Sequence, residues 1–526
     1  MKKQLTLLIS LILGVCVYGQ KAYYLDFDTQ NNEAVPITNS NEAVYVTELQ
    51  QSQFVEGLMG KALDLSENAV LRKPFIPDST ELPSYGKGHS LSAMVWVKTV
   101  EGSRQGMPII GNLKQGNTKQ PGWSIFTQDN GAWGVHLSDG KNNFTYKPNV
   151  PRQAINDGEW HQLAFSFNRE KDEVWFYFDG ENVAIYNVPG LGDLNNQNRT
   201  VIGGSDEYWE YGSFGQWTAF NGYIDEVQLK NEFVGSELIK EDYGRFKSIH
   251  SFPEIISPLR VMVWNIWHGG RRYGKHVGVE RVIETIKQAQ PDIVGLIETY
   301  GSGEIIADSL GYYFYLISSN LSIMSKFPIK ETIKVFRPFN SGGAIIDLGN
   351  NKQIAVVDTW LHYLPDYGKN VVEGKMTARE LIKAEDETRH SEVKAMIKQL
   401  DAQINRTDKV PMIMFGDFNV GSHLDWTETT QAIHNGYEIE WSVSRAMEKA
   451  GFKDSYRELH INPLLDPGFT WTPRAATSST KSGLRDRIDY IYYKGNIKPI
   501  ESKVIDYHPI MFPSDHAAVI SVFSFD

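Results

Sequence analysis

The sequence predicts an all-β sandwich followed by an α/β half built from two packed sheets with outer helices. Three observations carry this. From Lys21 to about Arg245, strand-length runs rich in aromatic and β-branched residues are separated by Gly, Asn and Asp clusters, and no long amphipathic helix interrupts them. From Arg260 onward, apolar runs of strand length alternate with helical periodicity. Between the two, 246–258 carries Pro253 and Pro258 and no long periodic signal, which marks a linker.

At 526 residues the chain is too long for one ordinary domain, and 41% hydrophobic with 22% charged residues is the balance of a soluble globular protein. Residues 1–19 read as a secretory signal. Lys2 and Lys3 supply the basic start, 5–17 a short apolar stretch, and Val17-Tyr18-Gly19 a small-residue cleavage site. The expected location is therefore secreted or periplasmic, with the cell surface as the alternative, and no later run is long enough to serve as a transmembrane anchor. Cys16 is the single cysteine, so the processed chain would rely on size and core rather than disulfides. The formal charge is −12, and two units more negative once Lys2 and Lys3 are removed. Such a chain is no general sponge for polyanions. Phosphate groups would have to be bound locally, with metal ions screening the repulsion.

In the first half (20–245), strand candidates include 23–28, 91–97 and 174–179. The phrases Gly60-Lys-Ala-Leu-Asp-Leu65, Ser92-Ala-Met-Val-Trp-Val97, Asp157-Gly-Glu-Trp-His-Gln-Leu-Ala164, Val201-Ile-Gly-Gly204 and Phe220-Asn-Gly-Tyr-Ile-Asp-Glu-Val-Gln228 follow one another. In that order they resemble the laminin-G-like, concanavalin A-like jelly roll. Such domains often bind glycans, sometimes with calcium, so the resemblance implies a glycan ligand and a structural Ca²⁺ as options. Trp160 and His161 read as core or turn residues, and Asp225 and Glu226 as sheet-edge or turn residues. A pure spacer role remains open for this half.

In the second half (259–526), strands are expected at 260–266, 293–298, 321–324, 344–348, 354–359, 410–415, 487–493 and 517–523. Helices are expected at 279–286, before Pro291, at 376–404, which is long and charged, and near 443–450. The informative feature is where polar residues fall. Asn265 and Glu298 end apolar runs, and His362 closely follows one. Asp417 and Asn419 end the run before Gly416-Asp-Phe-Asn419, Asp489 sits within Arg487-Ile-Asp-Tyr490, and Asp515-His516 precedes the last strand. Asp and Asn are poor strand residues and often cap turns. Independent caps would explain any one of these positions, but the whole set suggests convergence on one end of a sheet sandwich.

Carboxylate and carbonyl oxygens suit a hard ion, Mg²⁺ first, with Mn²⁺ or Ca²⁺ as substitutes. No HExxH or Cys/His cluster argues for zinc, and no Ser sits in a GxSxG elbow. A metal with carboxylates and two histidines suits phosphoester hydrolysis.

The motifs Trp264-Asn265-Ile266, Gly295-Leu-Ile-Glu298, Leu361-His362, Gly416–Asn419, Arg487–Tyr490 and Ser514-Asp-His516 occur in the order of the endonuclease/exonuclease/phosphatase superfamily, which this half resembles. The resemblance implies an α/β four-layer sandwich (DNase I-like). It makes Glu298 the principal metal ligand, with Asn265 and Asp515 near the same ion. Asp417 would hold or activate the attacking water, or ligate a second ion, and Asn419 would bond the phosphate or nucleophile. Asp489 would orient His516, and His362 would donate to phosphate oxygens. Whether His516 acts as a base or a charge stabiliser stays open. Further pocket candidates are His268, Arg271 and Arg272 in a Gly269-Gly270 loop, His423 after the Gly416–Asn419 motif, and Arg485 beside Asp489; turn, cap or solvated roles compete with each. Arg389 and His390 are expected on a helix surface.

The function expected is a metal-dependent phosphoesterase, cleaving a phosphodiester of nucleic acid or of a phosphorylated glycan or glycoconjugate. A phosphomonoesterase or a sphingomyelinase-like phospholipase is the alternative. A glycan-binding adhesin with a non-catalytic phosphoesterase-like half is the alternative of another class.

Overall fold

A computed structural model describes residues 22–28, 34–36, 43–45, 53–67, 74–75, 88–103, 106–113, 119–196, 198–211, 214–249, 258–471 and 484–525. The expected signal at 1–19 and the 250–257 part of the expected linker lie outside the described residues. Among the described residues no helix is long and apolar enough to cross a membrane.

The first half forms two facing antiparallel sheets. One runs Glu181–Asn187, Glu173–Phe178, Trp160–Asn168, Leu91–Thr99, Gly222–Lys230, Lys61–Asp64 and Phe54–Glu56. The other runs Asn143–Tyr146, Trp133–Asp139, Pro121–Thr127, Pro108–Gly111 and Val201–Ile202. Period-two alternation fills the space between them. Leu163, Phe165 and Phe167 point inward against Trp123 and Trp133, while Ala164 faces the opposite core.

The second half has two sheets sandwiched between helices. The first runs Ile497–Ile505, Ala518–Phe525, Leu259–Asn265, Ile293–Ile297, Leu321–Ser325 and Tyr313–Ser318. The second runs Ile329–Lys334, Ser341–Gly349, Lys352–Trp360, Met412–Asp417, Asp489–Lys494 and Lys453–Asp454. The helix Val277–Ala289 buries Val279, Val282, Ile283 and Ile286, a stripe at helical spacing, on the first sheet. The helices Arg389–Gln399 and Ser442–Lys449 cover the second sheet through Val393, Met396, Val443 and Met447. Ile297, Ile323, Val356, Ile413, Phe415 and Ile491 fill the layer between the sheets. Gly295 is required there, because a Cβ at that position would meet the Phe415 ring at 2.0 Å.

The two halves are not joined by a tether alone. Ala184, Ile185 and Tyr186 pair in parallel with Phe314, Tyr315 and Leu316, so one 14-stranded sheet runs through both halves. The seam is also bonded by side chains. Gln153 Nε2 donates to Asp308 Oδ1 at 2.8 Å, Thr332 Oγ1 to Glu173 Oε1 at 2.6 Å, and Asn187 Nδ2 to Ile317 O at 3.0 Å. The pairing covers an edge strand that would otherwise present unpaired backbone groups.

The helix expected over 376–404 is three helices: Ala378–Glu387, Arg389–Gln399 and Asp401–Ile404. The chain breaks at Thr388, with φ −122° and ψ −101°, and the residues flanking the break turn inward. Glu385 accepts the amides of Ser442 and Val443. Arg389, expected at the surface, is buried and donates through Nη2 to the carbonyls of Tyr363 and Pro365. In the jelly roll, His161 is held between Asp179 at 2.8 Å and Asp157 at 3.1 Å, and the Asp225 carboxylate accepts the amides of Leu58 and Glu226. Among the described residues of this half, no three acidic or histidine side chains converge their ligand atoms within 4.8 Å of one another, since the two aspartates lie on opposite ring nitrogens of His161.

Candidate active site

The site lies at the sheet edge where Leu259–Asn265, Ile293–Ile297, Lys352–Trp360 and Met412–Asp417 end. Val261 and Val263 face the layer between the sheets, and alternation puts Asn265 on the same side. The same parity carries Ile413 and Phe415 to Asp417, and Ile491 and Tyr493 back to Asp489. Asp417 and Asp489 are register partners on adjacent strands. Gly416 allows the close strand approach beside them, since a Cβ there would lie 1.9 Å from Thr359 O.

His516 completes this group. Its Nδ1 is 2.9 Å from Asp489 Oδ2, and its Nε2 is 3.9 Å from Asp417 Oδ2. The ring is 4.9 Å from that of Trp471. Burial opposes the imidazolium, but the charges of Asp489 and Asp417 outweigh it and lift the pKa to about 10. Burial pushes the Asp417 carboxyl up to about 7, with the Asp489 charge adding to the effect. At neutral pH His516 is therefore a cation, while Asp417 titrates near neutrality.

A second group of oxygens adjoins the first. Asn265 Nδ2 lies 3.2 Å from Asp417 Oδ2 and 3.4 Å from Glu298 Oε1. Glu298 Oε2 accepts the His268 amide at 2.8 Å. Ser514 Oγ donates to Asn265 O at 2.6 Å and accepts from His516 N, which fixes Asp515 between them. Burial raises Asp515 to about 6, and the nearby Glu298 charge contributes. Asp515 Oδ1 is buried without a protein partner. That orphaned oxygen, beside Glu298 and Asn265, fits a hard divalent cation. Ligand atoms of Asp417, Asp489 and His516 also lie within 4.8 Å of one another. There, however, the His516 nitrogen facing Asp489 is already bonded to it, so Glu298 and Asp515 are the better cation ligands.

Glu298 (φ 59°), Asn419 (φ 52°), Trp267 (φ 53°) and His268 (φ 51°) all adopt left-handed backbone. Each costs about 1–3 kcal/mol, and their gathering at one edge is the mark of a site held in a set geometry.

The remaining sequence candidates fall at varied distances from this centre. Asn419 Nδ2 donates to Leu361 O, and its amide to Asp417 Oδ1, so it braces the loop. His362 is exposed at the rim, with Nδ1 against Leu364 O at 2.9 Å. The position across from Asp417 on the adjacent strand belongs instead to Trp360. His268 is exposed, with Nδ1 3.7 Å from Glu298. Arg271 donates to the carbonyls of Tyr300 and Gly301, and Arg272 lies over the Trp267 ring at 5.2 Å. His423 is not brought to the centre; its ring is buried against Ser444 Oγ at 2.7 Å. Arg485 lies over Phe469 at 4.9 Å. Sequence reasoning missed Trp360 and Trp471. A tryptophan at a strand end reads as core, and only strand register reveals its neighbour.

Comparison with known proteins agrees with this architecture. Residues 262–516 match the sequence profile of the Endonuclease/Exonuclease/phosphatase family, and residues 77–239 that of the Concanavalin A-like lectin/glucanases superfamily. A Caenorhabditis elegans protein, "Uncharacterized protein F14F9.5", is 26% identical over 290 residues, which is 51% of this chain and 91% of its own length. Danio rerio TDP2, solved with a single strand DNA product, is 15% identical, with 51% of this chain and 100% of that chain covered and a TM-score of 0.36. The human Nocturnin catalytic domain with bound sulfate is 18% identical, covering 52% and 97%, with a TM-score of 0.35. An AP endonuclease from Archaeoglobus fulgidus is 19% identical, covering 50% and 99%, with a TM-score of 0.36. The chain thus joins a concanavalin A-like jelly roll to a DNase I-like α/β four-layer sandwich, the second of which matches the Endonuclease/Exonuclease/phosphatase family over residues 262–516.

Proposed function

We propose that the protein is a secreted, metal-dependent phosphoesterase that hydrolyses a phosphodiester to a phosphomonoester and an alcohol. The observation that supports this most is the buried Asp489–His516 pair, 2.9 Å apart, with Asp417 beside it and the oxygens of Glu298, Asn265 and Asp515 adjoining. A divalent cation held by Glu298 and Asp515, with Asn265 near it, would polarise the phosphoryl oxygens and screen their charge.

The chain's own groups then divide the work. Asp417, at about 7, is ionised in part at neutral pH and takes the proton of the attacking water. Water's oxygen bonds to phosphorus and the P–O bond to the leaving alcohol breaks. His516, at about 10, is too strongly protonated to serve as the base. It stabilises the negative charge gathering on the phosphoryl group and gives its proton to the departing oxygen. Asp489 keeps the imidazolium oriented. Asn419 positions the loop beneath the phosphate, and His362 at the rim donates to a substrate oxygen outside the centre.

The test is hydrolysis of bis(p-nitrophenyl) phosphate with Mg²⁺, its loss in EDTA and its return when Mg²⁺ is restored. Folded, Mg²⁺-loaded protein that turns over no phosphoester would overturn the reading.

A further inference from the structure

We propose that Trp267, Trp360 and Trp471 determine the specificity of this site, and that they select a phosphodiester whose phosphate joins uncharged sugar rings. The inference rests on the phosphoesterase reading and names its substrate class.

Each tryptophan is tied to a different member of the site. The Trp267 amide donates to Asn265 Oδ1 at 3.0 Å. Trp360 is the register partner of Asp417. Trp471 stands 4.9 Å from the His516 ring and is bridged to His516 through the backbone. They come from three separate loops and strand ends.

Their exposure separates them from core tryptophans. Trp264, Trp426 and Trp441 of the same half are fully buried, whereas these three are only half-buried. Phe339, tilted against Trp360 with centroids 5.6 Å apart, is 55% exposed and extends the aromatic wall outward. A tryptophan that is neither sealed in the core nor isolated, and that stands beside reactive polar groups, offers a flat apolar face with a polar edge.

A polynucleotide and a phosphodiester-linked glycan would both suit such walls on shape alone, and charge chooses between them. A polynucleotide brings a phosphate with every residue and needs cations along its path. Among the described residues, the neighbouring cations are largely spent on the protein itself. Arg271 is bonded to the carbonyls of Tyr300 and Gly301, Arg389 to those of Tyr363 and Pro365, and Arg487 to Asp425 and Asp454. The chain as a whole carries −12. Arg272, over Trp267, suits one phosphate rather than a run of them. Sugar rings on either side of a single phosphate add no charge, and their C–H faces pack on indole. A phosphodiester-linked glycan therefore satisfies both the aromatic walls and the shortage of free cations among the described residues.

The test uses full-length Asp417→Asn protein with Mg²⁺, titrated by calorimetry with inorganic phosphate, α-D-glucose 1-phosphate, thymidine 5′-phosphate and phosphocholine. Glucose 1-phosphate should bind at least about tenfold more tightly than inorganic phosphate, and more tightly than the other two esters. Trp360→Ala and Trp471→Ala, each added to that background, should collapse the ratio of glucose 1-phosphate to phosphate affinity towards one. Trp360→Phe should restore most of it, which a loss of folding would not allow. A ratio near one before substitution, a preference for thymidine 5′-phosphate or phosphocholine, or a ratio indifferent to both alanines would overturn the inference. If bis(p-nitrophenyl) phosphate is hydrolysed while the ratio is near one, only the substrate class fails. If no phosphate probe binds and no diester is cleaved, the phosphoesterase reading fails with it.

Discussion

Replacing Asp489 by Asn tests the electrostatics of the site at one atom. The carboxylate is fully buried, and its Oδ2 contacts His516 Nδ1 at 2.9 Å. The gap between about 10 and the ordinary 6.5 for His516 corresponds to roughly 5 kcal/mol in favour of the imidazolium, at 1.36 kcal/mol per pH unit. Asp489 is in direct contact and Asp417 is 3.9 Å away, so Asp489 is the larger cause of the upward shift. Asp489→Asn should therefore bring His516 down towards or below its ordinary 6.5 and, by removing an oriented cation, lower kcat by about 10²–10⁴. The linkage has a definite sign. A histidine raised in the fold stabilises it fully below pH 6.5, where the unfolded chain is protonated as well. That contribution is lost as pH rises from 6.5 to about 10. Wild-type stability should decline across this window, and the decline should be smaller in the variant. Histidine-labelled NMR titration, urea unfolding at several pH values and bis(p-nitrophenyl) phosphate kinetics read the three effects. A wild-type His516 that titrates near 6.5, or a variant with unchanged titration and rate, would refute the reasoning.

Glu298→Gln should abolish the rise in Tm that Mg²⁺ gives the wild type, a rise of several degrees if saturation contributes about 3 kcal/mol; an unchanged Mg²⁺ response in a thermal shift assay would count against Glu298 as a ligand. Glu173→Ala removes the 2.6 Å bond from Thr332 across the seam and should cost about 1–3 kcal/mol in urea unfolding. Because one sheet runs through both halves, the loss should appear in a transition they share, and an early separate step confined to the jelly roll would contradict that coupling. Gly416→Ala places a Cβ 1.9 Å from Thr359 O, so it should destabilise the fold by more than about 2 kcal/mol and sharply reduce turnover. Wild-type stability by calorimetry would show that the strands separate freely there.

Much of the centre is legible in the sequence because its residues break a pattern. Asn265, Glu298, Asp417 and Asp489 are polar residues at the ends or starts of apolar runs; period-two alternation sends Asn265, Asp417 and Asp489 to one layer, while Glu298 lies one residue past Ile297 on left-handed backbone (φ 59°). What stays hidden depends on contacts between distant segments. Trp360 looks like any strand-end aromatic until its register with Asp417 is known. Arg389 and Glu385 look like solvated helix residues. Only the break at Thr388 and the loops they hold show why they are buried. His423 follows the Gly416–Asn419 motif closely, yet Ser444 holds it away from the centre. The pairing of Glu181–Asn187 with Tyr313–Ser318 joins residues far apart in the chain, and neither strand signals its partner in composition or pattern.

In the proposed reaction these residues direct water onto phosphorus. Hydrolysis of a phosphodiester in H₂¹⁸O with Mg²⁺, followed by mass spectrometry of both products, tests it most directly. The phosphomonoester should carry one ¹⁸O and the alcohol none, and Asp417→Ala protein that remains folded should show little turnover. Label in the alcohol, or hydrolysis by Asp417→Ala protein at the full wild-type rate, would overturn it.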